Sequence, residues 1–322
     1  MSDPKTDAYL TEWRERSRLA EEMVPIVGRL YRDRGVIITV FGHSLVNKSP
    51  NKIHQIFRMT DELVDFEIPP QDCYDLLKAA EALDLAPARI DIGNLLTRLR
   101  MQEDDASTQE FVDRELADIC TGRAPIRPAP QDVVLYGFGR VGRLIARIMV
   151  GKTGGGDSLR LRAIVVRKGG SLDDLEKRAS LLRRDSVHGR FDGIIYVDHE
   201  ENALVVNGNM IRVIYSDGPD QVDYTQYGIH DALIVDNTGH WRTREELSLH
   251  VKSPGASKVV LTAPGKGDVP NVVYGVNHGG IREMGSVISA ASCTTNAIVP
   301  VLKGINDEFG IRAGHVESCH SF

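Results

Sequence analysis

From Asp7 to about Cys120 the apolar positions recur at helical spacing. Leu19, Met23, Ile26 and Leu30 fall three or four residues apart, and Ile53, Ile56, Phe57 and Leu63 also recur at helical spacing. The same holds for Cys73, Leu76, Leu77, Ala80 and Leu83, and for Ile92, Leu95, Leu96 and Leu99. A repeat near 3.6 puts each set on one helix face, which predicts an all-α N-terminal extension over residues 1–124. The exception is "GVIITVFG", Gly35 to Gly42, a β-branched run that fits a short strand or a buried turn. His43, His54 and Cys73 are scattered here and form no catalytic constellation. In "TGRAPIRPAPQD", Pro125, Pro128 and Pro130 cannot continue a helix, so an extended linker is expected at 125–131, with a domain boundary between Thr121 and Asp132.

Beyond the linker the pattern changes to strand, helix, strand. "VVLYGFGRVGRLIARIMV" reads as a strand from Val133 to Tyr136, a glycine turn, and a helix opening near Val141. Strand-like runs follow at "RLRAIVVR", "IIYVD", "ALVVN", "IRVIY", "ALIVDNTG", "KVVLTAP", "NVVYGVN" and "GSVISAAS", with helices at "SLDDLEKRASLLRRD" and "RTREELSLHVKS". This alternation predicts an α/β fold, a Rossmann-like doubly wound sheet over 132–292, with a hairpin insertion around Ile194 to Tyr215. Residues 293–322 add a further helix and a strand-like run.

Composition narrows the chemistry. With 322 residues, 42% of them hydrophobic and 26% charged, the chain can bury more than one core. A net charge of -6 gives no electrostatic reason to expect nucleic acid or an anionic membrane as partner. The N-terminus is charged throughout and carries no apolar signal core, so a cytoplasmic location is expected. Cys73, Cys120, Cys293 and Cys319 show neither CxxC nor zinc-like spacing, which predicts free thiols and no metal site.

Gly137, Gly139 and Gly142 form G-x-G-x-x-G between a strand and a helix. The first glycine permits the tight turn, the second lets backbone approach a pyrophosphate, and the third lets helix pack on strand. The helix N-terminus, with Arg140 and Val141, then faces the phosphates. At the end of the second strand, where an acidic residue would hold the ribose hydroxyls, the sequence has Val166, Arg167 and Lys168. Without a carboxylate a 2'-phosphate is not repelled, so either NAD or NADP is expected as cofactor; the two cations could instead be only a charged strand end.

In "SAASCTTNAIVPVLKGINDEFG" Cys293 stands between a strand and a helix, framed by Ser292, Thr294, Thr295 and Asn296. Unpaired N–H groups and the helix dipole stabilise negative charge on sulfur there, which is a nucleophile's position. His320 lies on the next strand-like run and is the candidate base. Alternation turns Cys319 to the other face, as a packing residue.

Six motifs, "GFGRVGR", "DSVHGRFDG", "TAPGKGD", "YGVNH", "ASCTTN" and "INDEFGI", together resemble glyceraldehyde-3-phosphate dehydrogenase over residues 132 to 322. The resemblance implies that Cys293 attacks the aldehyde carbon of glyceraldehyde 3-phosphate and that His320 takes the thiol proton. Hydride then passes to NAD or NADP, and inorganic phosphate cleaves the thioester. It further implies that the Cys293 N–H helps hold the oxyanion and that Ser292 and Thr294 meet substrate or phosphate. Thr238, Gly239, Thr262 and Ala263 would line the nicotinamide side, and the full-length enzyme would be a homotetramer. The helical extension departs from the family's usual start and resembles its long forms. The resemblance makes residues 293–322 the start of an α+β catalytic domain, and a chain ending two residues after His320 is expected to be a truncated form, inactive alone. Erythrose-4-phosphate dehydrogenase shares the same cysteine and histidine, and a non-catalytic nucleotide-binding fragment or adaptor is the reading from another class.

Overall fold

The computed structural model describes residues 4–61, 68–102, 106–120, 129–152, 159–169 and 173–319. The chain forms two compact units, Met1–Pro130 with Met149–Ser158, and Gln131–Ile148 with Leu159–Phe322. Most of the proline-rich linker lies outside the described residues.

The first unit runs α1 (Pro4–Arg34), β1 (Ile37–Val40), β2 (His43–Ser44), α2 (Pro50–Asp61), α3 (Pro70–Ala82), β3 (Arg89–Asp91), α4 (Ile92–Arg100) and α5 (Thr108–Glu115). The helical periodicity is realised as one core in which Met23, Leu30, Ile53, Leu76, Leu77, Leu96 and Phe111 are buried. The unit is not wholly helical. The β-branched run is strand β1, buried at all four positions, at the centre of a three-stranded sheet ordered β2-β1-β3. β1 pairs antiparallel with β2 and parallel with β3, a partner about fifty residues away that no local pattern announces. Asp91, the last residue of β3, joins these parts. Its carboxylate accepts from the N–H groups of Phe41 (2.9 Å), Gly42 (2.7 Å) and Asn94 (3.0 Å) and from the Thr39 hydroxyl (2.8 Å). It therefore caps α4 while closing the β1–β2 turn.

The second unit runs β4 (Gln131–Tyr136), α6 (Arg140–Lys152), β5 (Leu159–Val166), α7 (Asp174–Arg183), β6 (Arg184–Asp185), β7 (Gly189–Arg190), β8 (Ile195–Asp198), β9 (Ala203–Val206), β10 (Asn209–Tyr215), β11 (Ala232–Asp236), α8 (Arg244–Lys252), β12 (Ala256–Leu261), β13 (Val287–Ser289) and α9 (Cys293–Phe309). Its sheet is ordered β13-β12-β11-β4-β5-β10-β9-β8. The six strands from β13 to β10 are parallel, while β9 and β8 add an antiparallel edge, the expected hairpin insertion. Counting the parallel strands in chain order gives 3-2-1-4-5-6, the doubly wound Rossmann arrangement. Its central strands read as near-continuous apolar runs because both faces are covered: Val133, Val134, Leu135 and Tyr136 are all buried, as are Ala163 to Val166.

One strand-like run is not a strand. "NVVYGVN" buries Val272 and Val273 but turns on its two asparagines: Asn277 accepts the Val273 N–H (2.7 Å) and donates to the Asn271 carbonyl (3.0 Å). Side-chain amides here satisfy the backbone that a ladder would otherwise satisfy. Residues 313–319 likewise form no strand, and Cys319 is exposed rather than packed.

Candidate active site

Parallel strands end at a common edge, and ligands of open α/β sheets bind outside those carboxyl ends where strand order reverses. Here the reversal falls between β4 and β11. Register across the edge sets Tyr136 beside Asp236, Asp236 beside Leu261 and Leu261 beside Ser289. The loops after these four residues carry most of the candidate site residues.

The glycine turn follows β4. Gly137 has φ +89°, and a Cβ there would come within 2.8 Å of the Thr238 methyl. A Cβ on Gly142 would run into the Gly137 carbonyl oxygen, whereas one on Gly139 would meet nothing within 4 Å. Two glycines therefore close the turn and the third leaves it open, which suits a diphosphate lying over Gly139. Arg140 opens α6 but reaches Ser186 (3.0 Å) and Asp185 (3.7 Å) on the β6–β7 hairpin. Asp185 is held well below the usual carboxylate range, foremost by the His188 N–H. Val141 is half exposed on the first turn of α6.

A cavity of about 430 Å³ opens beside this turn, lined by residues that follow β4, β5, β10 and β11, among them Gly137, Gly139, Arg167, Ser216, Thr238 and Trp241. Arg178 from α7 also lines it, while Lys168 is exposed outside the lining. The lining suits part of an adenine dinucleotide: open backbone for phosphates, an aromatic wall, and cations near the end of the second strand.

Beneath the cavity lies a network that sequence reasoning missed. Asp236 and His250 are both fully buried, with His250 Nε2 2.9 Å from Asp236 Oδ2. The other carboxylate oxygen accepts from the Thr238 N–H (2.7 Å) and the Thr238 hydroxyl (2.6 Å). Tyr136 and Trp241 pack edge-on against the His250 ring. Burial, the largest cause, raises the Tyr136 phenol above its ordinary value. Asp236 thus fixes Thr238 in the loop that also holds Gly239. Thr262 joins the same loop, donating its hydroxyl to the Asp236 carbonyl (3.0 Å), and Ala263 lies against Gly239, where a Cβ would stand 3.7 Å from the alanine methyl. Thr238, Gly239, Thr262 and Ala263 are therefore brought together, although only Thr238 lines the cavity.

Cys293 is exposed at the first position of α9. Ser292 is the N-cap: its Oγ accepts the Thr295 N–H (3.0 Å) and lies 3.0 Å from the Thr294 hydroxyl. Asn296 folds back to the carbonyls of Ala290 (2.7 Å) and Ser292 (2.9 Å). Before the cap, Ala291 takes a left-handed φ of +60°, held by its N–H to Ser289 Oγ (2.9 Å). The Ser289 hydroxyl in turn donates to the Ala263 carbonyl (2.7 Å), tying this turn to the β12 loop. A non-glycine residue in that conformation is strained and persists where its surroundings enforce it, as at many functional turns. His320 lies outside the described residues.

These features define a dinucleotide-binding domain of the doubly wound class with a thiol at the same sheet edge. Residues 131–244 match the family model "Glyceraldehyde 3-phosphate dehydrogenase, NAD binding domain". Over this segment the chain is similar to the NAD-binding domain of that family. It is 52% identical over 302 residues to a "Glyceraldehyde-3-phosphate dehydrogenase-like protein" of Pseudomonas aeruginosa (strain UCBPP-PA14), covering 93% of this chain and 65% of the relative. That match takes in most of the helical extension. A glyceraldehyde-3-phosphate dehydrogenase of Thermotoga maritima is 37% identical over 190 residues, 59% of this chain and 54% of that protein. The enzyme of Streptococcus pyogenes is 36% identical, over 59% and 53%. The chain thus spans between half and two thirds of the length of these curated relatives. Among the described residues no helix is long and apolar enough to cross a membrane.

Proposed function

We propose that this chain carries the cofactor site and the nucleophile of a phosphorylating glyceraldehyde-3-phosphate dehydrogenase, residing in the cytoplasm and assembling as a homotetramer. The supporting observation is the shared sheet edge: the open glycine turn follows β4, and Cys293, three strands away in the same parallel array, opens α9 behind a strained alanine. In this reading 1–124 is an extension, 125–131 a linker, 132–292 the dinucleotide domain and 293–322 the start of the catalytic domain.

Cys293 Sγ bonds to the aldehyde carbon, the carbonyl π pair moves to oxygen, and the thiol proton passes to His320. The Cys293 N–H, unpaired at a helix start, stabilises that oxygen. Bound NAD or NADP supplies the acceptor for the hydride. Inorganic phosphate, met by the Ser292 and Thr294 hydroxyls, then attacks the thioester carbon; the C–S bond breaks and the thiol is restored. Gly137, Gly139, Arg140, Val141 and Gly142 surround the diphosphate, Arg167 and Lys168 the adenosine ribose, and Thr238, Gly239, Thr262 and Ala263 the nicotinamide.

Limiting iodoacetamide followed by peptide mass spectrometry tests the assignment. Cys293 should be alkylated ahead of exposed Cys319, half-buried Cys120 and buried Cys73, and glyceraldehyde 3-phosphate should protect it. Preferential labelling of another cysteine, or no protection by the aldehyde, would remove Cys293 as nucleophile.

A further inference from the structure

We infer that Arg167 and Arg178 form a subsite for the 2'-phosphate of an adenine dinucleotide, so that the cavity selects NADP over NAD. The inference rests on the dinucleotide reading above and adds its selectivity. The lining of the cavity contains these two guanidinium groups and no carboxylate. Arg167 immediately follows β5, where an acidic side chain would accept the ribose hydroxyls of NAD. Its guanidinium makes no hydrogen bond or ion pair among the described residues, so it is available to an incoming anion.

Arg178, 11 residues further along the chain on α7, is a different kind of group. Its side chain is only 16% exposed, and its Nε pairs with Asp174 Oδ2 at 2.7 Å while Nη2 donates to the Arg167 carbonyl at 3.2 Å. It is therefore a fixed cation, braced against the backbone of the residue that carries the free one. Asp174 is the nearby carboxylate that could have taken the acidic role, but it is already engaged. The same Oδ2 accepts the Tyr215 hydroxyl at 2.9 Å, Oδ1 packs against Gly169, and the residue stands outside the lining. Its charge is spent on orienting Arg178, which leaves the cavity end positive. A planar, forked guanidinium matches phosphate geometry, and the unpaired charge of Arg167 gains nothing from the hydroxyl-only ribose of NAD.

The test uses the whole chain and two probes that lack nicotinamide, adenosine 2',5'-bisphosphate and 5'-AMP, titrated against the fluorescence of Trp241 in the cavity wall. The bisphosphate should bind at least about tenfold tighter, and that ratio should fall below about threefold in Arg167→Gln, an exposed position whose replacement does not disturb the Asp174 pair. Arg178→Lys, which keeps a cation for Asp174 but loses the fork, should lower the ratio as well. A wild-type ratio below tenfold, or one that stays above threefold in Arg167→Gln, overturns the subsite. If neither probe binds, the dinucleotide reading itself falls with it.

Discussion

In the first unit Asp91, and in the second Asp236, each end a strand and collect the donors of the turn beyond it. Asp91 gathers three N–H groups and a hydroxyl; Asp236 gathers one N–H, one hydroxyl and an imidazole. The difference lies in what the braced turn meets. Beyond Asp91, the Phe41 ring packs so closely on Gly93 that a Cβ there would come within 2.6 Å of it. Beyond Asp236, Thr238 faces a cavity of about 430 Å³. The same carboxylate device stabilises a closed core in one unit and holds a binding wall still in the other. Rigidity alone therefore marks no site; rigidity beside open space does.

The contrast can be broken most severely at the glycine turn. Gly142→Ala places a methyl against the Gly137 carbonyl and should cost on the order of 4 kcal/mol locally, with at least about a hundredfold loss of dinucleotide affinity. Hydrogen exchange of the first unit should be unchanged; a variant that binds cofactor normally would show that the turn does not need its close packing. Next in size, Asp91→Ala strands the donors of Phe41, Gly42 and Asn94 and removes the cap of α4, a loss of about 3 kcal/mol. Urea melting followed through exchange protection of α4 should register it, and the cofactor titration should not move. Equal loss of binding would mean that the two carboxylates do not serve separate tasks.

The smallest effect concerns α8, whose N-terminus packs a reciprocal box between Thr243 and Glu246. Thr243→Ala should cost about 1 kcal/mol. The Glu246 carboxyl, lowered from 4.5 to about 2 chiefly by the Thr243 N–H, favours folding when ionised. Its contribution is complete above the unfolded value of 4.5 and is lost as pH falls through about 2. Acid titration of Glu246→Gln against the parent checks the sign: the parent's advantage should shrink below pH 4.5 and should not grow.

Much of the second unit was legible because its strands are β-branched runs and its glycines sit at a spacing with one mechanical use. "NVVYGVN" misled because buried valines look alike in a strand and in an asparagine-braced turn; only Asn271 and Asn277 distinguished them. Pairing of β1 with β3 was hidden by sequence separation, since the partner Arg89–Asp91 is three residues long and patternless. Asp236 and His250 met through packing of α8 on the sheet, and neither residue type announces a buried pair. Ala291 gave no signal at all, because alanine is a poor choice for a left-handed conformation and no local rule would place it there.

That alanine also fixes a rotational origin. A residue with φ +60° cannot be part of a right-handed helix, so α9 cannot creep backwards through Ala291 and must begin after it. Each residue of slippage in a helix start would turn every later side chain by about 100° about the axis. Ala291 therefore works as an index mark: it sets the angle at which Cys293 leaves the helix, and with it the bearings of Thr294 and Asn296.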